Sequence, residues 1–193
     1  QSDFSRGIFR SRVSEAGGEM MTEYKKYFDA YCREHGLSLH LSVDMPAGYE
    51  MAKGAFDVSS KTVFINAKGL EKEPVCIKLF YLFHELRHAS QYLEPERFNE
   101  TIHRSIQYVI MFDGTCYKLE KNRYLKCKLD GDERYFTNLY LGQPHEIDAN
   151  TFAYEQTRKL CGDSAGLKEL FDFWVPRQVL IDEKIKDEKV EVD

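Results

Sequence analysis

Two histidines and a glutamate in the stretch His84–His88 have the types and spacing of a metal site. The stretch reads H-E-L-R-H. On a helix, His84 and His88 are one turn apart and share a face, so both imidazoles can bind one metal ion. Glu85 directly follows the first histidine, and its carboxylate can reach a water held by that ion. The pattern is H-E-x-x-H, which predicts two zinc ligands, His84 and His88, and one general base, Glu85.

The residues before His84 favour a buried helix. Apolar side chains recur from Val75 to Leu86 at a spacing close to that of one helix face. Pro74 suits the first helical position, where a missing backbone N–H costs nothing. The alternative is an ordinary helix with two surface histidines. The apolar stripe makes a core helix that carries a metal site the better interpretation.

A catalytic zinc keeps three protein ligands and one open position, so the pattern requires a third ligand elsewhere. The extended form H-E-x-x-H-x-x-G-x-x-H would supply a third histidine. Here Gln91 stands at its glycine position and Glu94 at its third-histidine position. The extended form is therefore excluded, and a carboxylate from a second helix is expected.

Glu146 is the best candidate for that carboxylate. It falls in the first turn of a helix predicted to begin near Pro144, where the helix dipole favours a negative charge. Ala149 and Ala153 share its face, and their small side chains would allow close approach to the helix of His84 and His88. The alternative ligands are less well placed: His145, Asp148 and, more distantly, His103.

The two motifs together resemble those of the ImmA/IrrE family of zinc metallopeptidases. The family pairs H-E-L-x-H with a later E-x-x-A-N-x-F-A, which this chain carries from Glu146 to Ala153. The strand predicted at Val63–Asn66 is also similar to the one before the family's metal helix. The resemblance covers roughly residues 37–160. It implies a gluzincin-like peptidase of bacterial or phage origin, with His84, His88 and Glu146 as zinc ligands and Glu85 as the base.

Composition limits the classes of function. The chain has 193 residues, 42% of them hydrophobic, which fits one folded domain. A net charge of −5 argues against nucleic-acid binding. The stretch Lys118–Lys128 is locally basic and is interpreted as a solvated hairpin. No apolar run reaches the roughly 18 residues of a membrane span, and the N-terminus has no signal-peptide core. The five cysteines are odd in number and have no C-x-x-C spacing, which favours a reducing, cytoplasmic setting. Secretion with a processed N-terminus is the alternative.

The hydrophobic periodicity predicts an α+β fold in which a small, mostly antiparallel sheet packs on helices. One zincin-like domain, residues 1–193, is expected around a core at 37–160, with an N-terminal helix and a helical C-terminal tail. A strand-rich insertion, 113–141, would separate the two metal-site helices. Helices are predicted at 20–35, 75–93, 96–111, 144–160, 167–173 and from about 177. Strands are predicted at 37–43, within 49–58, and at 62–66, 115–128 and 134–141.

These residues predict a Zn2+-dependent peptidase whose partner is a peptide or protein substrate bound in extended form along a sheet edge. Donors that could stabilise the oxyanion of the reaction are Tyr154, His145 and Tyr92. Carboxylates that could orient the histidine ligands are Asp148 and Glu155. Two alternatives use the same ligands: a zinc-stabilised module that binds proteins without catalysis, and a hydrolase of a non-peptide amide.

Overall fold

Six α-helices and two small sheets make up the part of the chain that the computed structural model describes, residues 15–110, 115–120, 123–128, 131 and 133–175. In chain order the elements are α1 (Glu15–His35), β1 (His40–Ser42), β2 (Gly54–Asp57), β3 (Thr62–Ile65), α2 (Val75–Leu93), a 3-10 turn (Pro95–Arg97), α3 (Glu100–Ser105), β4 (Tyr108–Ile110), β5 (Thr115–Glu120), β6 (Arg123–Lys128), α4 (Glu133–Leu141), α5 (Pro144–Cys161) and α6 (Ala165–Trp174). The mixed fold, with small and largely antiparallel sheets packed on helices, confirms the predicted class.

The first sheet has the order β1-β3-β2, so β3 is central and β2 forms an edge. β1 pairs with β3 in parallel, whereas β2 pairs with β3 in the antiparallel sense. The tight turn between β2 and β3 is held by Asp57, whose carboxylate accepts hydrogen bonds from Ser59 and Ser60. All three predicted strands of this region are present. The first is shorter than predicted, although its alternating leucines still pack against the core.

Helix α2 is the central element of the fold. It begins after Pro74, which serves as the N-cap, and packs against the first sheet and against α1, α5 and α6. Most of its apolar residues are buried because the helix has neighbours on several sides, whereas Val75 at its start is exposed. The core cluster around it consists of Tyr24, Phe28, Tyr31, Val63, Ile65, Leu70, Leu79, Phe80, Leu82, Phe83, Leu86, Ala89, Ala153 and Leu167.

The single helix predicted over 96–111 was wrong. The side chain of Asn99 caps a short helix, α3, by accepting a hydrogen bond from the backbone N–H of Ile102. The chain then leaves the helix and forms β4, which pairs with β5. The run Tyr108–Ile110 contains aromatic and β-branched residues that suit a strand, and pairing with β5 outweighs the helical periodicity before it.

The strand predicted over 134–141 was also wrong, since these residues form helix α4. Their many aromatic side chains suggested a strand. Phe136 and Tyr140 are nevertheless one turn apart, and α4 packs against β4 and α5. The described part of the segment between α2 and α5 therefore contains the sheet β4-β5-β6 and the helices α3 and α4. The predicted insertion, 113–141, forms the later part of this segment.

Other predictions about the insertion and the termini have mixed outcomes. The predicted hairpin over 115–128 is present as β5 and β6, with Cys116 directly opposite Cys127. The helix predicted from residue 144 begins at Pro144 and ends before Gly162. Three further predictions lie outside the described residues: a helix from residue 177, a loose segment over the first dozen residues and most of a turn around Gly131. Among the described helices, none has the length and apolar character needed to cross a membrane.

Candidate metal centre

The histidines of the H-E-L-R-H stretch lie in the last half of α2 and face the same point. Their side chains are largely buried, and the two Nε2 atoms are 3.0 Å apart. The helical spacing predicted this convergence, because residues four apart share a face. Helix α2 therefore holds two possible ligand atoms of a metal site in a defined geometry.

Glu146 completes the cluster from the first turn of α5. Its Oε2 atom lies 3.4 Å from Nε2 of His84, and its Oε1 atom lies 3.5 Å from Nε2 of His88. Ala149 and Ala153 on the same side of α5 are fully buried, and α5 packs directly on α2. These small side chains allow the close helix approach that brings the carboxylate to the histidines.

Two of the three separations between the ligand atoms match those around a tetrahedral ion, and the distance between the two nitrogens is slightly shorter. Zinc bonds to nitrogen and oxygen of about 2.0–2.2 Å correspond to tetrahedron edges of about 3.3–3.6 Å. The observed separations are 3.0, 3.4 and 3.5 Å. Oε2 of Glu146 is buried and has no hydrogen-bond partner, although buried carboxylate oxygens normally have one. Two imidazoles and one carboxylate therefore fit a divalent metal ion such as zinc.

Charges within the cluster favour an ionised carboxylate. Burial alone would raise the pKa of Glu146, but the nearby His88 and His84 lower it well below its usual range. Burial likewise opposes protonation of His88, yet the Glu146 carboxylate raises the pKa of His88 to about 9. Because a metal ion binds only the neutral imidazole, a proton must leave His88 as metal enters.

Gln91 fixes the orientation of the His88 ring. Nδ1 of His88 lies 2.8 Å from Oε1 of Gln91, which can only accept a hydrogen bond. Nδ1 therefore carries the proton, and Nε2 is left to face Glu146 and any metal ion. Gln91 is itself held, since its Nε2 donates to Oδ2 of Asp148 and to the backbone oxygen of His145. From the sequence, Gln91 served only to exclude the extended form H-E-x-x-H-x-x-G-x-x-H.

Asp148 lies behind Gln91 and makes a two-bond pair with Arg87. Nε and Nη2 of Arg87 donate to the two carboxylate oxygens of Asp148 at 2.7 and 3.0 Å. The guanidinium is also sandwiched between the rings of Phe98 and Phe152, at 4.5 and 4.6 Å. Asp148 thus supports the metal site through Gln91 and does not face it, in agreement with its expected place on the helix.

Glu85 is buried beside the ligands, against the edge strand β2. The contact is so close that a methyl group at Gly54 would lie 2.7 Å from Oε1 of Glu85 and 2.8 Å from its Cγ. Burial raises the pKa of Glu85, while His84 and His88 oppose this shift and Glu146 adds to it. A carboxylate with a raised pKa is a better proton acceptor near neutral pH.

Two clefts open from the cluster. The larger has a volume of about 950 Å³ and the smaller about 230 Å³. Both are lined by the cluster itself and by the same neighbours, namely Gly54, His84, Glu85, Tyr140 and Glu146. A substrate bound at the cluster would therefore have open space next to the proposed ligands and Glu85.

Tyr140 is the functional candidate that the sequence reasoning missed. It lines both clefts, and its hydroxyl hydrogen bonds to the Glu146 carboxylate. Burial and the neighbouring carboxylates raise its pKa well above the usual value, so the hydroxyl keeps its proton. Its helix was predicted as a strand. The one-turn spacing of Phe136 and Tyr140, just before Pro144, was the signal that could have found it.

The other predicted donors have different surroundings. Tyr154 stacks on Phe171 and lines neither cleft, whereas Tyr92 and His103 line the larger cleft. His145 also lines it, with Nε2 3.5 Å from Oε1 of Glu146 and Nδ1 2.5 Å from the hydroxyl of Ser105. Burial lowers the pKa of His145 to about 4, which keeps it neutral. Glu155, the other predicted supporting carboxylate, is exposed on α5.

Comparison of the chain with known proteins yields no matching family model, no matching curated protein and no matching solved structure. The interpretation of the site therefore depends on its own residues and geometry.

Proposed function

We propose that this protein is a zinc-dependent peptidase that hydrolyses a peptide bond with metal-activated water and a glutamate base. The observation that carries the proposal is the convergence of His84, His88 and Glu146 beside the buried carboxylate of Glu85, where two clefts meet the cluster. This donor set of two histidines and one glutamate is found in catalytic zinc sites, which leave the fourth position open.

A zinc ion at this cluster would polarise the scissile carbonyl and lower the pKa of its water towards about 7. Glu85 accepts a proton from the water as the oxygen bonds to the carbonyl carbon. It then donates that proton to the amine nitrogen as the carbon–nitrogen bond breaks. Glu85 lies beside His84 and His88 and lines both clefts, so it can serve water and leaving group in turn.

Tyr140 is the best donor for the oxygen that becomes negative during attack. Its raised pKa keeps the hydroxyl protonated, and it lines both clefts next to Glu146. A protonated donor fixed beside the reacting carbonyl stabilises the developing charge. His145, neutral and held by Ser105, has the separate role of fixing the Glu146 carboxylate from the larger cleft.

The likeness to the ImmA/IrrE family, and with it a zincin-like classification, is part of this proposal. What supports it is the agreement of two motifs that lie far apart in the chain: H-E-L-R-H on α2 and the Glu146–Ala153 stretch on α5. A three-stranded sheet precedes α2, as the resemblance implies. A cytoplasmic setting is proposed on the odd number of cysteines alone.

Burial of Glu85 favours catalysis over a purely structural metal site. A structural zinc usually has a fourth Cys or His ligand and has no use for a base. Burying a carboxylate costs free energy, and a protein without a catalytic need for it gains nothing from that cost. A non-peptide amide would be cleaved by the same groups, and substrate profiling separates the two.

The test compares Glu85→Gln and Tyr140→Phe with the native protein on denatured casein. Glu85→Gln should bind zinc at the native stoichiometry and lose hydrolysis, because an amide cannot accept the proton of water. Tyr140→Phe should lower kcat by roughly 10²–10³-fold at little changed KM, the usual cost of removing one oxyanion donor. Zinc content is measured by elemental analysis. Near-native turnover of Glu85→Gln would contradict its assignment as the base.

A further inference from the structure

The smaller cleft beside the metal cluster has aromatic walls. It has a volume of about 230 Å³ and is continuous with His84, Glu85 and Glu146. Its walls are Phe80 and Tyr81 from α2 and Trp174 from α6. The site and the pocket therefore share the face of α2, and a molecule held at the cluster extends into this pocket.

The aromatic walls are fixed by their own contacts. The rings of Phe80 and Tyr81 meet edge to face, with centroids 5.7 Å apart, and Phe80 is almost fully buried. Trp174 also lines the pocket, and its ring meets that of Phe173 edge to face, with centroids 5.1 Å apart. Its helix, α6, packs against α2. Walls held in this way keep the pocket open before any ligand enters, which lowers the entropic cost of binding.

The polar groups around this pocket are poorly suited to an acidic ligand. The ammonium of Lys53 donates to the backbone oxygen of Gly69 at 2.8 Å and is thereby held. The remaining charges on the lining are the carboxylates of the cluster, Glu85 and Glu146. An acidic side chain entering between the aromatic rings would lose its water and meet the carboxylates of Glu85 and Glu146.

We propose that this pocket binds the bulky apolar side chain of the substrate residue that adjoins the scissile bond. The inference rests on the proposed function and deepens it by naming the class of substrate. An apolar cavity of about 150 Å³ holds a benzene ring, so this larger pocket accommodates Leu, Met or Phe. Its continuity with the cluster places such a side chain next to the reacting carbonyl.

The first test reads cleavage positions in denatured casein by mass spectrometry. Native protein should cut where Leu, Met or Phe stands on one fixed side of the bond. In Trp174→Ala, the preference for cleavage at these residues over cleavage at Ala should fall by about tenfold or more. This factor corresponds to the free energy of moving one large apolar side chain out of water. Leu160→Ala is the matched control, because Leu160 is exposed on α5 and lines neither cleft. Cleavage with no preference at this position would overturn the pocket and leave the proposed function standing.

The second test measures binding without hydrolysis. Trp174 is the only tryptophan in the chain, so intrinsic tryptophan fluorescence reports on this pocket alone. Blocked pentapeptides with Leu or Asp at the centre of an alanine sequence are titrated into zinc-loaded Glu85→Gln. The Leu peptide should change the fluorescence saturably and bind about tenfold or more tightly than the Asp peptide. Equal affinities, or no saturable change with either peptide, would overturn the proposal. Selective Leu binding by Glu85→Gln, together with no hydrolysis by the native protein, would keep the pocket and reject the peptidase.

Discussion

Each ring nitrogen of His88 has its own partner, and these two contacts define the tautomer and the orientation of the ring. Nδ1 meets the oxygen of Gln91, while Nε2 faces the carboxylate of Glu146. Groups behind the ligands typically matter almost as much as the ligands, because they set tautomer and ring orientation. The hydrogen-bonded series His88, Gln91, Asp148 and Arg87 is therefore part of the candidate metal centre.

The first prediction at the residue scale compares Glu146→Ala with Asp148→Ala. Asp148→Ala should weaken zinc binding roughly 10–100-fold, because Gln91 loses one of its two anchors. Glu146→Ala should weaken binding by clearly more, since it removes a ligand from the cluster. Zinc affinity is measured by competition with a chromophoric chelator at one fixed pH.

Glu155→Ala serves as the control for that comparison. Glu155 lies on the same helix but is exposed, so its removal should leave zinc affinity unchanged. A larger loss from Asp148→Ala than from Glu146→Ala would mean that the carboxylate at the metal has been misassigned.

At the residue scale, the sequence was most informative where spacing along one helix fixes geometry. His84 and His88 converge because residues four apart must share a face. Glu146 could be selected because small residues at one-turn intervals indicate a close helix contact. Gln91 could not be selected, because its role arises from packing between elements distant in sequence. Tyr140 was missed because its helix was predicted as a strand.

At the element scale, the closest contact of the site joins strand β2 to helix α2. Gly54→Ala should lower activity and destabilise the fold by about 1–3 kcal/mol, the usual range for an overpacked interior. The added methyl group would overlap Glu85, which is buried and has little room to move. Urea unfolding and a casein assay measure the two effects.

Gly166→Ala is a matched control for this substitution. A methyl group at Gly166, in the first turn of α6, would meet no atom within 4 Å. The change should leave activity unaltered and stabilise the helix by up to about 1 kcal/mol. Equal effects of the two substitutions would show that the crowding at Gly54 is relieved by movement of Glu85.

The contact between α1 and α2 predicts a loss of stability at alkaline pH. Burial raises the pKa of Tyr31 to about 12, although its hydroxyl bonds to that of Ser90 at 2.6 Å. In the unfolded chain a tyrosine ionises near pH 10, so this contribution is complete below about pH 10 and is lost as pH rises towards 12. The shift of about 2 units corresponds to about 3 kcal/mol.

Urea unfolding at pH 8, 10 and 11 measures this loss, with Tyr31→Phe as the comparison. The variant cannot ionise at this position, so its stability should fall less steeply above pH 10. Other buried tyrosines, Tyr81 and Tyr140, also have raised pKa values and titrate in both proteins. Parallel curves for the two proteins would show that Tyr31 ionises without cost in the folded state.

The elements themselves were predictable where one periodicity dominated. The sheet before α2, the hairpin β5–β6 and the helix from Pro144 all follow from alternation or from a helical stripe with clear ends. Two stretches between α2 and α5, residues 96–111 and 134–141, were assigned wrongly. In both, the local preference of the residues conflicts with the neighbours they pack against, and those neighbours are known only once the fold is known.

At the scale of the whole molecule, the metal site and the hydrophobic core are largely separate. The core cluster extends from α1 through the sheet to α2 and α6, and it depends on no metal ligand. Zinc removal by a chelator should therefore stop hydrolysis while the helical circular-dichroism signal persists. Thermal unfolding should stay cooperative at a lower Tm, because bound metal adds about 4 kcal/mol only when it exceeds its Kd a thousandfold. Collapse of the helical signal on chelation would indicate a structural zinc.

The division of the ligands between α2 and α5 also has a consequence for the order of synthesis. A ribosome releases the chain from its N-terminus, so α2 with both histidines emerges well before Glu146. Until then the metal has only two ligands, and the face of α2 that α5 covers has no partner. The nascent protein therefore cannot assemble the proposed hydrolytic centre before α5 has emerged. A peptidase with its ligands divided in this way would be inactive until the second metal-site helix has been synthesised.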